Sequence, residues 1–480
     1  MRPLLPAFLV AAALAFGQDL ETELRRFTQV YAVLEREAAD PVDPDEAIYG
    51  GAIPSMLRPL DPHSVFLNPD QFEQLQRLQE SVSKGFGSVV SVLPGRVIVL
   101  QTLPGTPSAK AGLAPGDEIV AVNGIPLGRL TLEQLIGLLG EARRKPARLD
   151  IRRPGSVRTL EFVLTPEDMQ NPSVERAFFL RPGVGYIRVT SFDAQTSQDL
   201  NTAVEKLGGG ALKGLVLDLR DNPGGLLPAA LETASLFLRP GQLLLTVSGR
   251  AVAGHKESVP DDARPYTFPL AVLINEKSAS AAEIVAGCLQ DHDRASIIGT
   301  PSFGKGLVET VYPLSDGAGL ALTTAFYYTP SGRSIQKPLS SGQIATPARE
   351  VYRTDGGRIV QGGGGIQPDH VVRDKPLTRL QAFLQASGSF TTFATEYLRS
   401  HGAVPSGFEA TAEVLDEFRA FLSARKILPG VAEWSEVRGW TENRLKTEIF
   451  NQAFGVPAGD EVEVQQDAAV LAAIKTLNMM

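Results

Sequence analysis

Short apolar runs that end abruptly in turns constrain the fold of this chain more than any other feature. The runs are Val184–Val189, Gly214–Leu219, Leu270–Ile274 and Ser296–Gly299. Helical patterns near Ser197–Leu207 and from about Ser278 to Gln290 lie between them. Runs this apolar indicate strands that are buried on both faces. Because such strands alternate with helices, this part of the chain is predicted to be a parallel or mixed sheet covered by helices.

Changes of pattern along the 480 residues predict several domains. Residues 18–80 have helical spacing, and residues 83–166 carry short β-branched runs separated by glycine and proline, which predicts a small β-rich domain. The sheet-forming region occupies residues 174–375, and residues 376–480 return to helical spacing. We therefore expect an α/β multidomain protein with an inserted β-rich domain and helical N- and C-terminal segments.

The first 17 residues have the layout of an export signal. Arg2 precedes an apolar stretch from Leu4 to Phe16, and small residues, Ala15 and Gly17, stand at −3 and −1 of a cleavage point. The stretch is too short to span a bilayer, and no other segment reaches 18 uninterrupted apolar residues. The sequence thus predicts an exported, periplasmic and soluble protein with no integral membrane span in the mature chain. A buried or disordered N-terminus is the alternative.

Charge and cysteine content exclude several classes of protein. Lys and Arg total 46 against 54 Asp and Glu, a net charge of −8, and no basic cluster suggests a nucleic-acid partner. Cys288 is the single cysteine, so no intramolecular disulfide can form. The five histidines form no zinc-binding spacing, and neither a metal nor a cofactor is expected.

A serine pair stands where a buried strand is predicted to end and a helix to begin. The segment Ser278–Glu283 reads Ser-Ala-Ser-Ala-Ala-Glu, so Ser278 or Ser280 would lie beside the unpaired amides of a helix N-terminus. A serine placed there can act as a nucleophile with an oxyanion site next to it. The alternative is that one of these serines merely caps the helix.

Lys305 lies between two glycines, which could aim its amine inward. The segment nearly matches a phosphate-binding loop, but Gly306 cannot ligate magnesium, so nucleotide binding is rejected. No histidine lies near Ser280 in the sequence, and a desolvated lysine can serve as the base of a serine nucleophile. The ordinary lysine pKa of about 10.4 must fall by roughly three units for that role, which corresponds to about 4 kcal/mol. A solvated surface charge is the alternative.

Two further glycine-containing turns could bind a polypeptide. Leu217–Gly225 ends a predicted strand, so the amides of its last two glycines could complete an oxyanion site, although an ordinary Asn-Pro-Gly turn has the same sequence. In the β-rich domain, the amides around Gly85, Phe86 and Gly87 could receive a carboxylate while a peptide adds as a strand. A β-barrel that only packs is the alternative for that domain.

Several ordered motifs make the chain resemble the carboxyl-terminal processing peptidases, also called tail-specific proteases. The resemblance covers about residues 20–375 and rests on segments 61–67, 107–124, 217–225, 275–283, 290–295, 303–306, 327–336 and 364–369. It implies a PDZ domain over residues 83–166 and a serine protease core with a Ser/Lys centre over residues 174–375.

The resemblance also implies roles for individual residues. Ser280 would be the nucleophile and Lys305 its general base, while Ala281 and either Gly224 or Gly225 would hold the oxyanion. Glu309 stands where family members usually carry a glutamine that orients the lysine, so this departure bears on the activity and its pH range.

The implied function is an exported serine endopeptidase that recognises the free C-terminus of a polypeptide through its PDZ domain. The alternatives are a pseudoprotease that only binds tails, favoured by Glu309, and a periplasmic scaffold whose helical ends organise partners. A homo-oligomer is compatible with the sequence, which leaves the oligomeric state open.

Overall fold

The computed structural model describes residues 7–79, 82–250, 254–339 and 351–478, which form two compact units. The first unit contains the described residues before Gln74 together with Glu309–Thr323 and Leu339, and the second contains the others. Residues 1–6 of the predicted export signal lie outside the described residues, and its remainder begins a long helix. None of the helices in the described ranges is both long and apolar enough to cross a membrane.

The first unit is mainly helical. Its N-terminal part consists of helix α1 (Ala7–Glu37), a π-helical turn (Asp45–Ala52), helix α2 (Ile53–Leu57), strand β1 (Val65–Leu67) and the start of helix α3 (Pro69–Gln79). Strand β1 pairs antiparallel with residues 319–321. The carboxylate of Asp61 holds the loop before β1, because it accepts hydrogen bonds from the amides of His63 and Ser64 at 2.7 and 2.8 Å.

The β-rich domain of the second unit is an antiparallel sheet with two helices. Its elements are β2 (Val82–Gly85), β3 (Ser88–Leu93), β4 (Arg96–Thr102), α4 (Pro107–Ala111), β5 (Glu118–Val122), β6 (Ile125–Pro126), α5 (Leu132–Ala142), β7 (Ala147–Arg152), β8 (Leu160–Leu164) and β9 (Glu167–Gln170). The sheet order is β3-β4-β5-β7-β8, so β3 is an edge strand, and β2 pairs with β9 as a separate ribbon. Among the described residues, the outer edge of β3 therefore has no strand partner.

The second unit also contains the predicted parallel sheet. From Val174 onward, its strands and the elements between them are β10 (Val174–Arg181), β11 (Val184–Val189), α6 (Thr196–Lys206), β12 (Gly214–Asp218), α7 (Leu227–Ser235), β13 (Leu243–Ser248), β14 (His255–Ser258), β15 (Leu270–Ile274), α8 (Ala281–Asp291) and β16 (Ser296–Gly299). Strands β13 and β14 pair with each other and lie in a separate sheet. The strands that follow are β17 (Leu307–Pro313), β18 (Gly319–Tyr328), β19 (Val351–Arg353), β20 (Ile359–Gln361) and β21 (His370–Val371). Residues 309–313 of β17 and 319–323 of β18 belong to the first unit.

The sheet order is β10-β11-β12-β15-β16-β21, parallel from β11 onward. Every residue of β12 and β15 is buried, which explains their continuous apolar runs. Alternate side chains of these strands enter two cores, one beneath α6, α7 and α8 and one beneath the last helix of the chain. The predicted α/β fold class is thereby confirmed.

The C-terminal segment is helical, as predicted. It consists of α9 (Arg379–Ala386), α10 (Ser389–His401), α11 (Ala412–Ala424), α12 (Val431–Ala453), α13 (Val456–Val464) and α14 (Ala468–Leu477). Helices α9–α12 share an aromatic core that includes Phe390, Phe393, Phe418 and Trp434. Helix α14 packs instead on the parallel sheet through residues such as Val470 and Ile474. The segment thus covers one face of the sheet that carries the catalytic candidates.

Candidate active site

Ser280 occupies a sharp turn between strand β15 and helix α8. Its backbone has φ 52° and ψ −114°, a left-handed conformation that is strained for a residue with a Cβ. The side chain is half-buried, and helix α8 begins at the next residue, Ala281. A strained serine between a strand and a helix N-terminus is the geometry that exposes a nucleophilic hydroxyl beside free amides.

Ser278, the other candidate serine, has a different environment. It is fully buried, and its hydroxyl accepts a hydrogen bond from the amide of Asn275 at 2.9 Å. The same hydroxyl donates to the carbonyl of Leu219 at 2.7 Å. Ser278 therefore ties the turn after β15 to the end of β12, and its hydroxyl is not directed to a substrate.

The glycine turn after β12 lies directly against Ser280. A Cβ added to Gly224 would stand 2.8 Å from the Cβ of Ser280 and 3.0 Å from the amide nitrogen of Ala281. A Cβ on Gly225 would stand 2.0 Å from the carbonyl oxygen of Phe192. Because φ is 103° and 146° at the two glycines, both the conformation and the close approach require glycine here.

The two glycines differ in the use of their amides. The amide of Gly224 donates to Oδ1 of Asn222 at 2.8 Å, and the Asn222 side chain in turn donates to the carbonyl of Val189. Within the described part of the chain, the amides of Gly225 and Ala281 donate to no protein acceptor. These two amides are therefore available to a substrate oxygen.

Lys305 lies in the loop before β17, half-buried between Gly304 and Gly306. The amides of Gly304 and Lys305 donate to the carboxylate of Glu283 at 2.7 and 2.8 Å. The hydroxyl of Tyr327, which is fully buried, donates to the carbonyl of Lys305 at 2.6 Å and lies 3.2 Å from that of Ser280. The backbones that carry the two candidate catalytic residues thus share the same buried partners.

Glu283 is a central contact that the sequence reasoning missed. Its carboxylate also accepts from the amide of Ser280 at 2.9 Å and from the hydroxyl of Ser302 at 2.5 Å. Burial raises the pKa of Glu283 to about 7, against the four donors that favour the ionised form. The Ser-x-x-Glu spacing of a helix N-terminus was the available signal, because it places a glutamate three residues after the turn serine.

Glu309, predicted to orient the lysine, lies in β17 and belongs to the first unit. Its Oε1 is 3.8 Å from Nδ1 of His63, and about a quarter of each side chain is exposed. No local pattern predicts this pairing, since the two residues are 246 positions apart, about half of the length of the chain.

The predicted carboxylate-binding turn of the β-rich domain lies between β2 and β3. The carbonyl of Phe86 accepts from the amide of Ser108, and the carbonyl of Gly87 accepts from the amide of Leu103, each at 2.8 Å. A Cβ on Gly87 would stand 2.2 Å from the Cβ of Thr106, so this turn also requires glycine. The carbonyls are thus bound within the domain, beside the unpaired edge of β3.

Comparison with known proteins identifies two domains. Residues 183–344 match the model of peptidase family S41, and residues 98–153 match a PDZ domain. A carboxy-terminal-processing protease of Bartonella bacilliformis is 35% identical over 347 residues, which cover 68% of this chain and 78% of that protein. A carboxyl-terminal-processing protease of Synechocystis sp. is 36% identical over 321 residues, covering 63% and 74%.

Among solved structures, a photosystem II D1 C-terminal processing protease is 30% identical with a TM-score of 0.41. The match covers 72% of this chain and 86% of that one.

Proposed function

The chain belongs to peptidase family S41, among the carboxyl-terminal processing proteases, and we propose that it cleaves peptide bonds with Ser280 as nucleophile and Lys305 as general base. Membership makes it a serine protease. One observation carries the assignment of residues: the buried carboxylate of Glu283 accepts hydrogen bonds from the backbones of both Ser280 and Lys305. The nucleophile turn and the lysine loop are therefore fixed to one another.

In the proposed reaction, Nζ of Lys305 removes the proton of Ser280 as its Oγ attacks the scissile carbonyl carbon. The carbonyl oxygen becomes an oxyanion, and the C–N bond then breaks as Lys305 returns the proton to the leaving amine. A water molecule then attacks the acyl carbon as Lys305 takes its proton, and the ester bond to Ser280 breaks as Lys305 returns that proton to Oγ, which releases the new carboxyl terminus.

The amides of Ala281 and Gly225 are the proposed oxyanion donors. Both lack a protein acceptor within the described ranges, whereas the amide of Gly224 is engaged with Asn222. Donors that are held in place before the reaction stabilise developing charge without reorganisation. The role of Gly224 is then steric, because it allows the glycine turn to approach Ser280 closely.

We further propose that the PDZ domain binds the free C-terminus of the substrate. The unpaired edge of β3 can add an extended peptide as a strand, and amides around Gly85, Phe86 and Gly87 can receive its carboxylate. The first 17 residues support export, so the proposed substrates are periplasmic polypeptides with free C-termini.

The test is hydrolysis of an unfolded model polypeptide by the full-length protein and by two serine variants. Ser280→Ala is expected to abolish cleavage without unfolding the protein, since it removes the nucleophile but little buried surface. Ser278→Ala is the matched control, two residues away in the same turn, and should be far milder, because it removes two buried hydrogen bonds but not the nucleophile. Cleavage that survives in Ser280→Ala would overturn the assignment, and a wild type that binds tails without cleaving them would favour the pseudoprotease.

A further inference from the structure

The C-terminal helices lie beyond residues 98–153 and 183–344, which match the two known domains, yet they reach the strand that leads into the glycine turn. Asp467 precedes helix α14 and caps it, because its Oδ1 accepts from the amide of Val470 at 3.0 Å. Its other oxygen, Oδ2, accepts from Nη1 of Arg220 at 2.7 Å. One carboxylate thus joins the C-terminal segment to the end of strand β12.

Arg220 holds a second carboxylate in the same way. Its Nε and Nη2 donate to Asp218, the last residue of β12, with a distance of 2.7 Å from Nη2 to Oδ2. The hydroxyl of Tyr186 donates to the same Oδ2 at 2.7 Å. Burial would lower the pKa of Arg220, but Asp218 and Asp467 outweigh it and raise the pKa. With Asp218 fully buried and the Arg220 side chain 18% exposed, the guanidinium depends on both carboxylates.

The residues that follow Arg220 are hydrogen-bonded to the turn that carries Ser280. The next amide, that of Asp221, donates to Oδ1 of Asn275 at 2.9 Å. The carbonyl of Asn222 accepts from the amide of Ala279 at 2.9 Å. Together with the contact of Gly224 on Ser280, these bonds make the turns after β12 and β15 one connected structure.

We propose that Asp467 is a positioning residue of the active site, acting through Arg220 on the glycine turn that faces Ser280. Asp467 does not touch the reacting atoms. Its carboxylate fixes the guanidinium, which fixes the end of β12 and hence the oxyanion amide of Gly225. Through Asp467, the C-terminal segment thereby helps to position the active site. This inference rests on the proposed function, because it assumes that the turn beside Ser280 holds the oxyanion.

The chain supplies a matched control in the ion pair of Arg176 and Asp460. It also joins the C-terminal segment to the sheet, through helix α13, and the side chains are 16% and 31% exposed. The Arg220 and Asp467 side chains are similarly 18% and 22% exposed. Arg176, however, lies in β10 at the edge of the sheet, which does not lead into the glycine turn. Loss of either ion pair weakens the attachment of the C-terminal segment to the sheet. Only the pair of Arg220 and Asp467, however, stands next to the turn that faces Ser280.

The experiment compares Asp467→Asn and Asp460→Asn in the full-length protein on one peptide substrate. Asparagine keeps the capping oxygen for helix α14 but removes the charge that holds Arg220. We expect Asp467→Asn to lower kcat by about tenfold with little change in KM, because small displacements of oriented groups are costly to catalysis. Asp460→Asn should retain kcat within about twofold, because Arg176 lies in the edge strand β10, which does not lead into the glycine turn.

Coupling through Arg220 is tested by a double-mutant cycle. In an Arg220→Lys background, Asp467→Asn should lower kcat much less than in the wild type. The reason is that lysine lacks the guanidinium group that joins Asp218 to Asp467. Thermal unfolding of all variants separates a positioning role from simple loss of folded protein. Equal kcat for Asp467→Asn and Asp460→Asn, or full additivity in the cycle, would overturn the inference. Activity that persists in Ser280→Ala would instead overturn the proposed function itself.

Discussion

The turn that carries Ser280 and the edge of strand β3 are the two proposed sites at which backbone amides bind a substrate, but their surroundings are opposite. Around Ser280, neighbouring polar groups are buried and bound to fixed partners such as Glu283 and Tyr327. Along β3, every residue is half-buried, and the outer edge has no strand partner among the described residues.

The difference reflects two kinds of recognition. Charge stabilisation during a reaction requires donors that are already in position, and buried partners supply this order. Strand addition requires the reverse, because the peptide itself must supply the missing hydrogen bonds of the edge. Substitutions near Ser280 should therefore change kcat, whereas changes in the substrate tail should change the apparent affinity.

Among residues that hold the site without reacting, the largest effect is expected from Glu283→Gln. The carboxylate accepts four hydrogen bonds, and an amide group would present a donor to at least one backbone amide, such as that of Gly304. An unsatisfied buried donor costs about 1–3 kcal/mol, so we expect kcat to fall roughly a hundredfold. The variant should remain folded by circular dichroism. Wild-type kcat would contradict a positioning role for Glu283.

The same carboxyl group predicts a pH dependence of stability and activity. The pKa of Glu283 is about 7 in the folded protein, whereas its ordinary value is 4.5. Between pH 4.5 and pH 7, the folded state therefore retains a proton on this carboxyl group that the unfolded state has lost. The free energy of unfolding should therefore decrease from pH 4.5 to pH 7, by up to about 3 kcal/mol. The activity of the wild type should rise over the upper part of this pH range, because the Glu283 carboxyl group becomes ionised and can accept all four hydrogen bonds. Denaturant unfolding of Glu283→Gln at both pH values should lack this decrease.

An intermediate effect is expected from the substrate tail. If the amides around Gly85 and Gly87 receive a free carboxylate, amidation of a peptide's C-terminus should raise KM about tenfold, since a charge-assisted hydrogen bond contributes roughly 1.5–3 kcal/mol. The measurement is kcat/KM for one peptide in its acid and amide forms. Equal values would remove the tail-binding role of the PDZ domain and leave the protease assignment intact.

The smallest effect is expected at Glu309, four residues after the proposed base. If Glu309 acts on the base at the position of the family's glutamine, Glu309→Gln should move the profile of kcat/KM to lower pH by up to about one unit, because loss of a negative charge lets a base lose its proton at lower pH. The variant should gain rate near pH 7 by a few-fold. Profiles that superimpose would show that Glu309 does not act on the base.

The local sequence pattern was sufficient to predict the strands of the parallel sheet, but not the side-chain contacts that residues next to these strands make. Strands β11, β15 and β16 begin and end where their apolar runs predict, because burial on both faces dictates their composition. The predicted strand Gly214–Leu219 ends one residue earlier, at Asp218, whose carboxylate binds Arg220. The hydrogen bond between Arg220 and Asp467 could not be predicted, since it joins residues 247 positions apart.

At the proposed site, the sequence predicts candidate residues but not the partners that hold them. Ser280 and Lys305 follow from position and resemblance, whereas the role of Glu283 depends on four donors that meet only in the folded chain. The pairing of Glu309 with His63 was likewise hidden, because nothing local signals a contact with a distant loop.

The central claim, that Ser280 is acylated with Lys305 as its base, is tested most directly by trapping the acyl-enzyme. The wild type and Lys305→Ala would be mixed with a serine-directed acylating probe, and the labelled residue and the labelling rate would be determined by mass spectrometry. We expect the label on Ser280 and a rate in Lys305→Ala that is at least about a hundredfold lower, within the range by which general bases act. A label on Ser278, or a Lys305→Ala rate above a tenth of the wild type, would contradict the account.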